Sequence, residues 1–195
     1  MPRAPSGPPP ATAELVAFYE AVAERGPLPI VAYHNPTYGA DPSEEAFVRI
    51  GDIDGIAAFK ESSRDMGKIG RLIAAIELAG RARYFTTMEP LLATVLQGGG
   101  GAMMPPPATL IGAEVVAAVR AGDLERAIAA QRWFAVFPGK WRGYGLTPVM
   151  KSALRHLGIP LGDVAEPFGR IAPEDHDAIG RFVSEANLEA AMAPG

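Results

Sequence analysis

Four short apolar runs, each stopped by a polar residue or a proline and each parted from the next by a helix-length segment, constrain this chain more than any other feature. They span residues 28–33, 53–60, 83–87 and 102–104. A buried strand of a parallel sheet reads as a short apolar run rather than as alternation. Parallel strands need crossovers, and right-handed helical crossovers make successive strands adjacent. The helical segments lie where that rule needs them. Residues 42–50 open on Pro42, Ser43, Glu44 and Glu45, with acids in the first turn where the helix dipole favours them. Residues 65–79 carry Met66, Ile69, Leu72, Ile73 and Ile76 at helical spacing. Residues 90–97 form a short helix closed by the glycines 98–101. Ahead of the first run, residues 12–24 form a helix for which Thr12 is a capping residue. The proline-rich residues 1–10 exclude regular structure.

After Pro107 the strand pattern stops. Helices are expected over 110–121, 124–137, 147–157 and 174–192. The domain reading is therefore 1–121 as the strand–helix part and 122–195 as a helical C-terminal region. With 195 residues and a formal net charge of -4, the chain is long enough for a real core and carries no basic block. Nucleic acid is therefore excluded as an expected partner. No apolar run reaches membrane-spanning length, and no hydrophobic leader core opens the sequence. No membrane partner is expected, and a cytoplasmic location is. The absence of cysteine excludes disulfides and thiolate chemistry.

Lys60 stands where an apolar strand ends, and Tyr33 is the last residue before the break at Asn35-Pro36. Barrel and doubly wound folds place their chemistry at the carboxyl ends of strands. Neighbouring strands lie about 4.8 Å apart, so the two side chains can reach one small ligand. If Lys60 points to one face, Ala58 and Ile56 share it, and Ala57 and Phe59 take the other. An unprotonated lysine amine attacks a ketone, burial favours the unprotonated form, and a phenol can shuttle the protons. Read plainly, the same residues are a surface lysine opening a loop and a tyrosine anchoring one. The glycines 98–101 lack a following Lys-Ser/Thr and read as a tight turn rather than a phosphate cradle. His34, His156 and His176 are spread along the chain and make no metal site. Trp133, Phe134, Phe137 and Trp141 read as core or subunit contact. Asp163, Glu166, Glu174, Asp175 and Asp177 read as a solvated acidic face.

Tyr33-His34-Asn35-Pro36, the run Gly55 to Ser63 with Lys60-Glu61-Ser62-Ser63, and the glycines 98–101 before a strand resemble the dihydrodipicolinate synthase and N-acetylneuraminate lyase family. Gly122-Asp123, Pro148 to Lys151, Leu157-Gly158 and Glu166-Pro167 resemble that family's C-terminal helices. The resemblance implies an α/β fold: a partial TIM (β/α)8-type barrel of about four parallel strands, the family's fifth to eighth, then a C-terminal helical region. It implies Lys60 as Schiff-base lysine and Tyr33 as proton relay, a 2-oxo acid such as pyruvate as substrate, no cofactor, and a homo-oligomer. Ser62 and Thr87 are then expected to orient substrate, and Met103 to line the pocket floor. Tyr38 stands where the synthases keep an arginine for the second substrate, which argues against aspartate semialdehyde. The family barrel has eight strands in about 250 residues. Its first four strands, and the threonine-containing loop that holds the oxo-acid carboxylate, are missing ahead of Tyr33. A non-catalytic half-barrel fragment or assembly partner is the alternative.

Overall fold

The structure, a computed structural model, describes residues 11–36 and 41–186. They fall into two compact units, one ending at Met103 and the other beginning at Met104. The first unit runs α1 (Thr12–Ala23), β1 (Ile30–His34), α2 (Glu44–Gly51), β2 (Ile56–Glu61), α3 (Met66–Leu72), β3 (Arg83–Thr86), α4 (Leu91–Leu96) and β4 (Gly101–Ala102). Its four strands form one parallel sheet in the order β1-β2-β3-β4. This is the alternation that the apolar runs predict.

The helices start where side chains can take up unpaired backbone amides. Ser43 accepts from Ala46 N at 3.2 Å to cap α2, and Asp65 accepts from Lys68 N at 3.0 Å to cap α3. At α1 the expected cap is corrected. Thr12 is already helical, and Glu14 reaches back to accept from Ala11 N at 2.8 Å. Helix α3 also does not run on regularly to Ala79. It widens into a π segment over Ile73–Glu77, where Leu78 N bonds to Ile73 O at 3.0 Å. The core lies on one face of the sheet, where Phe47 and Ile50 of α2, with Ile69, Leu72, Ile73 and Ile76, pack on Ala32, Phe59 and Tyr84. Burying a Phe or Ile side chain is worth about 1.5–3 kcal/mol, so this face holds the helices on the sheet. Ile56 belongs to the same cluster. It therefore does not share the Lys60 face, because the β1–β2 register slips between Ile30 and Val31.

The second unit is helical among its described residues: α5 (Ala108–Arg120), α6 (Leu124–Arg132), α7 (Leu146–His156) and α8 (Pro173–Glu185), with 3-10 turns over Trp133–Ala135 and Gly139–Tyr144. The expected continuation of the last helix to Met192 lies outside the described residues. Phe182 of α8 stacks on Phe137 with ring centroids 4.7 Å apart, and Trp133 and Trp141 meet its edges. The aromatic group of the sequence is thus the core of this unit. The acidic face is only partly free: Asp163 pairs with Arg155 and Arg170, and Asp175 accepts from the Tyr144 hydroxyl.

Candidate active site

Tyr33 and Lys60 are lateral partners in the β1–β2 ladder, one residue from the end of each strand. Their side chains leave the sheet on the face opposite the helices. There the Lys60 ammonium sits 4.2 Å from the centroid of the Tyr33 ring, within cation–π range. Lys60 Nζ also donates to Ser62 Oγ at 2.8 Å, and Asn35 Nδ2 donates to the Tyr33 hydroxyl at 3.1 Å. Partial burial pushes the Tyr33 phenol up. Hydrogen bonds from Asn35, Ser62 and Lys60, with the lysine's charge, more than offset this and leave it below the usual phenol range. The phenolate is the form these donors favour. Tyr33 remains 55% exposed and Val31, two residues earlier on the same face, 48%.

The next residue on each strand points the other way, and there the sequence reading missed the most constrained group in the sheet. Glu61 is 0% exposed. Its carboxylate accepts from Ser63 N at 2.7 Å, Ser63 Oγ at 2.9 Å and Tyr84 OH at 3.3 Å. His34 Nδ1 lies 3.0 Å from Glu61 Oε1 and must donate, since a carboxylate only accepts. Burial pushes the Glu61 carboxyl up, but the bonds from His34 and Ser63 hold it below the ordinary value. Burial, then the Glu61 charge beside it, pushes the Tyr84 phenol far up. On its other side His34 Nε2 lies 3.3 Å from Asp41, without the alignment of a hydrogen bond. The clamp ties the ends of β1 and β2 together directly behind Tyr33 and Lys60. Strand alternation alone places His34 and Glu61 on the helix side, and this was the available signal.

The remaining expected residues separate. Ser62 is drawn in against Lys60. The Lys60 register row continues through Phe85 to Gly101, so Thr87 and Met103, two residues further along the chain, lie just past the ends of β3 and β4. Thr87 Oγ1 donates to Glu89 at 3.1 Å, and Met103 N donates to Thr86 O at 3.0 Å. Tyr38 lies outside the described residues. The glycine run is a turn: a Cβ on Gly99 would come within 2.7 Å of Thr94 Cγ2, and Gly101 holds φ +131. His156 and His176, both in the helical unit, stack at 4.2 Å. Among the described residues no group of three His, Cys, Asp or Glu side chains is placed to hold a metal. No described helix is long and apolar enough to cross a membrane.

A parallel α/β sheet with a lysine, a tyrosine and a serine gathered at the carboxyl ends of adjacent strands defines the class: an α/β fold of four parallel strands that matches part of a TIM-type barrel, with polar residues at the strand ends. The chain belongs to the dihydrodipicolinate synthetase family, whose model matches residues 7–186. It is 27% identical over 179 residues to the 4-hydroxy-tetrahydrodipicolinate synthase of Moorella thermoacetica, covering 89% of this chain and 60% of that protein. Two solved structures share the fold. One is a prophage protein of Escherichia coli K12 in the dihydrodipicolinic acid synthase family, solved in complex with pyruvate. Its TM-score is 0.79 at 21% identity, covering 92% of this chain and 63% of that one. The other is N-acetylneuraminate lyase from Mycoplasma synoviae, with TM-score 0.74 at 18% identity, covering 95% and 63%. The chain thus spans less than two thirds of the length of these relatives.

Proposed function

We propose that this chain carries the Schiff-base site of a lyase or aldolase acting on pyruvate or another 2-oxo acid. The observation that carries the reading is the pairing of Lys60 with Tyr33 and Ser62 at two adjacent strand ends. In the proposed step the neutral Lys60 amine adds to the C2 carbonyl, the Tyr33 phenol protonates the oxygen, and water leaves as the imine forms. The protonated imine then accepts the electron pair from the bond broken at C3, and a proton or a second carbonyl compound takes that pair back. Ser62 and Thr87 orient the substrate in this reading, and Met103 lines the pocket floor. By its position after Pro36 in the sequence, Tyr38 bears in this reading on the choice of second substrate.

The four strands correspond in this reading to the fifth to eighth of a (β/α)8 barrel. The exposure of Val31 and Tyr33 supports the idea that further strand–helix units must cover this face before the chemistry runs. An exposed apolar face and open sheet edges also favour the second reading, a half barrel kept for assembly. A homo-oligomer in the cytoplasm fits either reading. Proton exchange separates them. An imine passes to an enamine, so pyruvate in D2O should lose its methyl proton signal in the presence of the protein, and the Lys60→Ala variant should leave it intact. Exchange at the rate of the buffer alone, from folded protein, favours the assembly reading.

A further inference from the structure

The helical unit holds a cavity of about 320 Å3, walled by Lys151, Ser152 and Arg155 of α7, by Asp163 and Arg170 of the loop after it, and by His176 of α8. The volume is at the small end of ligand sites. Its charges do not balance. Lys151, Arg155 and Arg170 face one acid, Asp163, among the described lining residues. Asp163 is shared, with Oδ1 3.6 Å from Arg155 Nη2 and Oδ2 3.2 Å from Arg170 Nη2. One carboxylate cannot engage the five donors of each of two guanidinium groups. Lys151 Nζ donates to the carbonyls of Asp163 at 2.7 Å and Leu161 at 3.3 Å, so its position is fixed by backbone oxygens. On the wall, Ser152, only 7% exposed, bonds His176 Nδ1 at 2.6 Å. Burial, then the nearby His156 and Arg155, pushes the His176 pKa down against the opposing pull of Asp177.

We infer that this cavity binds a small dianion, an oxyanion of the phosphate or dicarboxylate class, gripped by Arg155 and Arg170 over the Ser152–His176 wall. Planar guanidinium forks match either head group in bidentate fashion. The two cations in excess of Asp163 equal the charge of such a ligand. The inference is independent of the Lys60 chemistry.

Isothermal titration calorimetry of the full chain with inorganic phosphate and with succinate, at constant ionic strength set by chloride, tests it. The expected result is saturable binding of at least one probe. Arg155→Met and Arg170→Met should each weaken it about tenfold or more, as loss of a charged hydrogen bond does, while Lys60→Ala leaves it unchanged. Tighter binding of phosphate assigns a phosphorylated ligand, and tighter binding of succinate assigns a dicarboxylate. The two arginine side chains are 52% and 84% exposed, so their replacement leaves the fold in place. The inference is overturned if neither probe saturates by about 10 mM, or if the arginine variants bind as the wild type does. The wild-type titration alone can overturn it, whatever the variants do.

Discussion

Replacing Glu61 with alanine should unfasten the strand ends that carry Tyr33 and Lys60. The carboxylate is 0% exposed and receives the bonds of Ser63, Tyr84 and His34. Its removal leaves those donors facing a cavity. Ser63 is only half-buried and can turn to water. Tyr84 and His34 cannot, at 0% and 7% exposure. Each dry, unpartnered group costs about 1–3 kcal/mol, so the pair loses about 4 kcal/mol together. Hydrogen-exchange mass spectrometry of the peptides covering β1 and β2 reads this locally, as a fall in opening free energy of that size. The His34→Ala variant supplies the second edge of a cycle, and the double variant should cost about 1.5–3 kcal/mol less than the sum. A loss under about 1 kcal/mol, or strict additivity, would refute the clamp.

The same carboxylate sets an acid limit. Its folded pKa lies below the ordinary 4.5, so its stabilising effect is complete above that value and is lost as pH falls through the lower folded value. Acid unfolding of the wild-type sheet unit should therefore steepen below about pH 4.5, and Glu61→Gln should flatten that limb. Tyr33→Phe keeps the ring beneath Lys60 but removes the proton relay, and should slow imine formation with pyruvate by about 100-fold or more; an unchanged rate removes Tyr33 from the mechanism. Gly99→Ala forces a methyl to within 2.7 Å of Thr94 and should cost about 1–3 kcal/mol, read by urea unfolding. Phe182→Ala empties the stack on Phe137 and should cost about 3–5 kcal/mol, with a shift in tryptophan emission because Trp133 and Trp141 flank the ring.

The strand–helix order was legible because each apolar run is stopped by a residue with a clear physical meaning, Pro36 after β1 and the Lys60-Glu61 pair at the end of β2. Tyr33 and Lys60 were legible as neighbours for the same reason. Glu61 was not read, since an acid after an apolar run looks like the first loop residue. In the structure it is the last ladder residue and turns inward to His34. The π segment after α3 was hidden because its apolar residues continue the helical spacing. The Ile56 error came from a register slip that alternation cannot reveal. His156 and His176 lie 20 positions apart, and only the packing of α7 on α8 brings them into one stack.

Reductive trapping tests the central claim most directly. The folded chain is incubated with pyruvate and borohydride, digested, and each lysine peptide is weighed. The account predicts a reduced pyruvate adduct on the peptide holding Lys60, absent without pyruvate and absent in Lys60→Ala. An unmodified Lys60 peptide, or an adduct spread evenly over surface lysines, would contradict it.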